Sequence, residues 1–120
     1  MSFENISPMI RVSDYARSKT FYMDVLGFDT LVNEAGDPKP GFGILRCGNA
    51  QLFLHSWDGP GEAWNNWRAY VYVSDLDAFV ARLEEKEQPF KGPEITWYGM
   101  REVEVTDPDG NVLCFARDAE

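Results

Sequence analysis

What most limits the fold of this chain is that it repeats itself. Val12-Ser13-Asp14 returns as Val73-Ser74-Asp75, 61 residues later, each time after an apolar stretch with strand character and before a stretch of helical period. Gly48-Asn49 returns as Gly110-Asn111, 62 residues later, each time between two strand-like runs. Two unrelated markers at nearly equal offsets point to a duplicated unit of about sixty residues, too small to hold a core of its own, so the two copies must share one.

The same order of elements is read inside each copy. In the first, 6–13 reads as a strand, and Asp14 can cap a helix whose positions Tyr15, Ser18, Phe21, Tyr22, Val25 and Leu26 follow the 3.6-residue period. All but Ser18 are apolar, and Gly27 stops the helix. Strands are expected at 28–33, 42–47 and 51–56, separated by the cluster Gly36-Asp37-Pro38-Lys39-Pro40-Gly41 and by Gly48-Asn49. In the second copy 69–73 reads as a strand, and Leu76, Phe79, Val80 and Leu83 form one stripe of a helix. Strands at 94–98, 101–106 and 112–116 complete it, the last two joined by Asp107-Pro108-Asp109-Gly110-Asn111. The spacing predicts a single domain over 1–120, with a first module at about 5–56, a polar Gly/Pro-rich linker at about 57–66 and a second module at about 67–117.

Composition narrows what such a chain can do. Twenty acidic against 11 basic residues give a net charge of -9, which repels phosphate backbones and anionic lipid and favours cationic ligands. Nucleic acid and membrane are therefore not expected as partners. The longest apolar runs fall far short of the ~20 residues of a bilayer-spanning helix, and the N-terminus has no basic segment leading into an apolar one, so a cytoplasmic location is expected. Cys47 and Cys114 have neither the close spacing nor the histidine neighbours of a zinc ribbon or C-x-x-C pair, and read as reduced core thiols.

Val12-Ser13-Asp14 leading into Phe21-Tyr22 and Leu26-Gly27-Phe28, with Thr106-Asp107-Pro108-Asp109-Gly110-Asn111 near the end, resembles the vicinal oxygen chelate superfamily, also called the glyoxalase, bleomycin resistance protein and dioxygenase superfamily. The resemblance covers nearly the whole chain. It implies an α+β fold in which two βαβββ modules form an eight-stranded, cup-shaped mixed sheet with helices on the convex side, completed in a homodimer. It is specific for fold and weak for activity, because members include isomerases, dioxygenases, thiol transferases and binding proteins.

Enzymes of that superfamily hold a divalent metal with His, Glu or Gln at matched positions of the two modules, which the resemblance places here at Ser7, Leu52, Arg68 and Cys114. None of the four is His or Glu and Arg68 repels a cation, so neither a metal nor another cofactor is expected, and no catalytic residue is identified. His55 is the one histidine, too few for a two-His iron site, and sits at a strand end where it would rim a pocket. The metal-free branch that fits best resembles the bleomycin resistance proteins, which sequester the drug without changing it. The similarity extends to Pro8, which in those proteins helps an N-terminal arm cross to the partner subunit, and to Gly92-Pro93 and Arg101-Glu102.

If Ser7 and Arg68 face the cup, period two puts Met9, Arg11, Tyr70 and Tyr72 on the same face, and Cys114 beside them in the last strand. Trp64, Trp97 and Tyr98 fall in the linker or at strand ends, where they would rim a cleft, and Phe42 falls close to a stacking aromatic of the bleomycin resistance proteins. Phe42, His55, Trp64, Arg68, Tyr70, Tyr72, Trp97, Tyr98 and Cys114 form the expected ligand-binding set for an aromatic, cationic antibiotic. Paired aromatics also stabilise a sheet without any ligand. Arg11 and Arg68 oppose a polycationic drug unless Glu102 or Glu104 neutralises them, which leaves open a carrier or sensor of an aromatic or anionic metabolite. A metal-dependent lyase or isomerase of the glyoxalase type is the enzymatic alternative.

Overall fold

The computed structural model describes residues 1–34, 41–56 and 68–120, and in it the order strand, helix, three strands occurs twice. The first unit is β1 (Met9–Arg11), α1 (Tyr15–Thr20), β2 (Asp29–Glu34), β3 (Phe42–Cys47) and β4 (Ala50–His55). The second is β5 (Arg68–Tyr72), α2 (Leu76–Glu85), β6 (Lys91–Ile95), β7 (Met100–Thr106) and β8 (Val112–Asp118). The eight strands are shared between two four-stranded mixed sheets, β1-β4-β3-β2 and β5-β8-β7-β6. In each, the first strand runs parallel to the last, because the helix carries the chain across the sheet, and the remaining pairs are antiparallel hairpins. Identical connectivity in both halves matches the duplication read from the repeated strings.

Both helices start on an aspartate, as the repeated Val-Ser-Asp predicts. The Asp14 carboxylate accepts from the Arg17 N–H at 3.1 Å and Asp75 from the Ala78 N–H at 3.0 Å. Alternation then buries one face of each sheet beneath the helices. Ile10, Val12, Leu45, Leu52 and Leu54 from the first sheet, and Val103, Val105, Leu113 and Phe115 from the second, meet Tyr15, Tyr22, Leu26, Leu76 and Leu83 in one cluster. The alternate residues face the other way, onto sheet faces that no helix among the described residues covers.

Three elements differ from the sequence reading. The first helix changes pitch, with 21–25 in a π-helical turn in which the Leu26 N–H reaches back to the Phe21 carbonyl. A 3.6-residue period in the sequence cannot signal such a turn. The first strand enters its ladder only at Met9, although the Pro8 carbonyl already accepts from the Phe53 N–H at 2.9 Å. β6 lies earlier than 94–98 because residues 96–99 form the hairpin turn into β7, with the Thr96 N–H on the Met100 carbonyl at 2.7 Å. Pro93 is accommodated because β6 is an edge strand whose register slips between Lys91 and Glu94. The expected linker lies outside the described residues.

The units are joined by buried polar contacts at the β7–β8 turn. Tyr22 Oη donates to Asp107 Oδ2 at 2.8 Å, and the Asp109 carboxylate accepts from Ser13 N–H at 3.1 Å and Ser13 Oγ at 2.6 Å. Asn111 Nδ2 donates to the Arg11 carbonyl at 3.1 Å. Burial, and then the Asp107 carboxylate, push the Tyr22 phenol up, so it stays a donor. On the opposite side, Arg82 of α2 donates to the Val25 and Asp24 carbonyls, both at 2.9 Å, which caps the end of the first unit's helix.

Candidate functional site

The open face of the second sheet follows from the period of β5. Ala69, Val71 and Val73 pack on the core, so Arg68, Tyr70 and Tyr72 point the other way and are exposed. Pairing sets their neighbours: Tyr70 lies opposite Cys114 on β8, and across β8 on β7 stand Glu104, opposite Cys114, and Glu102, opposite Ala116. The β6–β7 turn adds Trp97 and Tyr98.

These residues converge on one carboxylate. Tyr70 Oη donates to Glu102 Oε2 at 2.6 Å, and Tyr98 Oη donates to the same oxygen. The two phenolic hydrogen bonds hold the Glu102 carboxyl below its ordinary value, so it is ionised at neutral pH. The same contacts act in the other direction on the phenols. Burial and then the Glu102 hydrogen bond push Tyr70 up, and the hydrogen bond leads for Tyr98, so both remain protonated donors. Burial, with Glu102 and Glu104 nearby, raises the Cys114 thiol to about 11, which makes it a neutral wall residue and a poor nucleophile. Around this anchor the rings meet edge to face, Tyr70 with Tyr72 at 5.3 Å and Trp97 with Tyr98 at 5.2 Å. A fixed carboxylate among aromatic rings suits a cationic group on an aromatic ligand.

Arg68 stands 4.0 Å from Glu104, with 69% of its side chain exposed, so its charge is loosely paired within the sheet. The first sheet's open face is different in character. Phe42 and Phe53 pack edge to face at 5.6 Å, and the register places Met9 and Ile44 beside Phe53, and His55 beside Phe42 and Arg11. It offers rings and aliphatic surface where the second offers a carboxylate.

The positions where the superfamily's enzymes hold a metal do not fit one. Leu52 is 3% exposed and faces the core, while its neighbour Gln51 takes the open face and donates to Ser7 Oγ at 3.1 Å. The other two positions carry a cation, Arg68, and a protonated thiol, Cys114. Among the described residues no group of three His, Cys, Asp or Glu side chains is placed to hold an ion.

Of the residues expected from sequence, Tyr70, Tyr98 and Cys114 meet at Glu102, with Tyr72 and Trp97 adjoining and Arg68 one step along the strand. Phe42 and His55 lie on the other sheet, and Trp64 lies outside the described residues. Glu102, read from the sequence only as a charge that could neutralise the cup's arginines, is the residue missing from the expected ligand-binding set. Its signal was present in the period of β7, which puts Glu102 and Glu104 on the face opposite buried Val103 and Val105.

A family profile described as Glyoxalase/Bleomycin resistance protein/Dioxygenase superfamily matches residues 6–115. A bleomycin resistance protein of Geobacillus stearothermophilus is 28% identical over 128 aligned positions, which cover 90% of this chain and 92% of that protein. TnmS3, an antibiotic binding protein from Streptomyces sp., superposes with a TM-score of 0.78 at 29% identity over 98% of each chain. A lactoylglutathione lyase from Agrobacterium tumefaciens, at 20% identity and a TM-score of 0.76 over 94% of this chain and 92% of its own, shares the fold.

Proposed function

The chain belongs to the glyoxalase/bleomycin resistance protein/dioxygenase superfamily, and from that premise we propose that it is a metal-independent binding protein that sequesters an aromatic, cationic antibiotic of the bleomycin kind in a cleft between two copies. The observation that carries this reading is the ionised Glu102, held by two phenols on an open sheet face and ringed by Tyr72, Trp97 and Tyr98. Such an anchor gives a cation a fixed partner and gives flat rings something to stack on. Stoichiometric sequestration needs no nucleophile, in keeping with the protonated state of Cys114.

The similarity to a bleomycin resistance protein and to an antibiotic binding protein supports the same class of ligand. A homodimer is supported by how much apolar surface is exposed: Phe3 at 89%, Ile6 at 91% and Tyr72 at 75%. A second copy would close the open faces, setting the ring-lined first sheet against the carboxylate of the second. The two cysteines are free, with Cys47 exposed and Cys114 half-buried rather than in the core as expected, which is in keeping with a cytoplasmic location, and no helix among the described residues is long and apolar enough to cross a membrane. A carrier of an anionic metabolite is the second reading, favoured by the exposed Arg68.

Calorimetric titration of metal-free bleomycin into chelator-treated protein separates the two. Submicromolar binding at about one drug per chain supports sequestration. No heat at high concentration removes bleomycin and directs the search to anions at Arg68.

A further inference from the structure

The two units meet at two equivalent junctions, each formed by the last hairpin turn of one unit and the strand-to-helix corner of the other, and among the described residues only one is filled. At the filled junction the turn spans residues 107–111, and three polar side chains of the first unit's helix engage it. Tyr22 Oη reaches Asp107 at 2.8 Å, Ser18 Oγ reaches Asp109 at 3.4 Å and the Arg17 guanidinium stands 3.5 Å from Asp109. At the other junction the turn is Gly48-Asn49 alone. The positions 61 residues beyond Arg17, Ser18 and Tyr22 are Ala78, Phe79 and Leu83, so the three polar helix positions have become apolar, while Ser74 repeats Ser13 at the corner. The short turn and the apolar helix face leave a cavity of about 400 Å³ between the units.

We propose that this cavity is a second binding site, distinct from the open sheet faces, for one small uncharged apolar molecule of the polycyclic aromatic class. Its volume lies in the range of small-molecule pockets, roughly 300–1,000 Å³. Its walls come from both units, Leu26, Phe28 and Ala50 facing Val71, Phe79 and Phe115. The Phe79 and Phe115 rings, 4.2 Å apart and tilted by 36°, supply an aromatic surface. An apolar guest would replace water against such walls with dispersion contacts. The polar groups among the lining residues, on Cys47, Asn49 and Ser74, are neutral, so a charged guest would lose its hydration without gaining an ionic partner. Val71 alternates with Tyr70, which sets the cavity behind β5 from Glu102, and Tyr72, which adjoins the Glu102 site, borders the cavity at its edge.

The test uses the full chain and 1-aminoanthracene, an uncharged tricyclic fluorophore. Fluorescence titration is expected to show saturable binding near one probe per chain, weakened at least tenfold in Ala50→Trp, whose indole fills the cavity. Because that variant can also unfold, a second readout uses the wild-type chain. Cys47 lines the cavity and is exposed, so the probe is expected to slow its alkylation by iodoacetamide at least threefold, read by peptide mass spectrometry. The proposal is overturned if no saturable binding occurs up to the probe's solubility limit. Equal affinity in a folded Ala50→Trp, or an unchanged Cys47 rate at saturating probe, overturns it as well.

Discussion

The turn that ends the first unit's β3–β4 hairpin is Gly48-Asn49, and a Cβ built on Gly48 meets nothing within 4 Å. The turn that ends the second unit's β7–β8 hairpin spans 107–111, and its aspartates and asparagine are bonded into the first unit. The strand order around them is the same. A duplicated fold thus tolerates one long turn as the fastener between its halves and leaves the equivalent position unoccupied, and the side chains facing each turn have changed to suit. The open sheet faces diverge in a parallel way, one lined by Phe42 and Phe53 and the other organised around Glu102.

The largest effect is expected where the fastener is removed. Asp107 is 4% exposed and accepts from Tyr22 Oη, from the Asp109 and Asn111 N–H groups, and from Asn111 Nδ2. Asp107→Ala leaves these donors buried without a charged acceptor and should cost on the order of 3 kcal/mol, measured as a lower urea midpoint. A loss below ~1 kcal/mol would mean that the turn does not fasten the units. Arg82→Leu should cost about 2 kcal/mol, because the carbonyls at the end of the π-helical turn lose their cationic cap. The equivalent position in the first unit is Phe21, so this link, like the turn, runs one way only.

The next effect sharpens the contrast between the open faces. Glu102→Gln keeps the shape and removes the charge, so bleomycin affinity should fall about tenfold, near 1.4 kcal/mol, while thermal unfolding stays unchanged. The pH dependence follows from the direction of the shift. Glu102 has a pKa lowered from 4.5, so it keeps its charge as pH falls through the ordinary carboxylate range and loses it only below that. Drug affinity should therefore hold from pH 7 to about pH 5 and decline only in stronger acid. A decline centred near pH 6 would assign the anchor to some other group, with His55 the first to examine.

Local chemistry was legible in the sequence where it acts over a few residues. The caps at Asp14 and Asp75 depend on a side chain reaching an N–H three positions on, and the faces of Tyr70 and Cys114 depend only on the two-residue period. What depends on how distant strands align was not legible. Tyr98 reaches Glu102 only because residues 96–99 form the turn, a register that Gly92-Pro93 shifts toward the N-terminus by slipping the edge strand. In the same way Gln51 rather than Leu52 takes the open face, since β4 is held in register by β3 through the very short turn between them. The repeat predicted the order of elements in both units; the three-residue difference between their hairpin turns sets the two junctions apart.

The smallest effect tests whether the short turn is as free as it looks. Gly48 has φ near +59°, a left-handed conformation that an alanine adopts at a cost of about 1 kcal/mol and that an asparagine adopts more readily. Nothing crowds a side chain there, so Gly48→Ala should cost about 1 kcal/mol and Gly48→Asn only a few tenths, both read from urea unfolding. If both cost as much as Asp107→Ala, the short turn bears on the second unit after all, and the asymmetry between the junctions fails. If asparagine recovers nearly all of alanine's loss, the cost lies in backbone conformation alone. The Gly48 position then carries no packing against the second unit, in keeping with the open space around it.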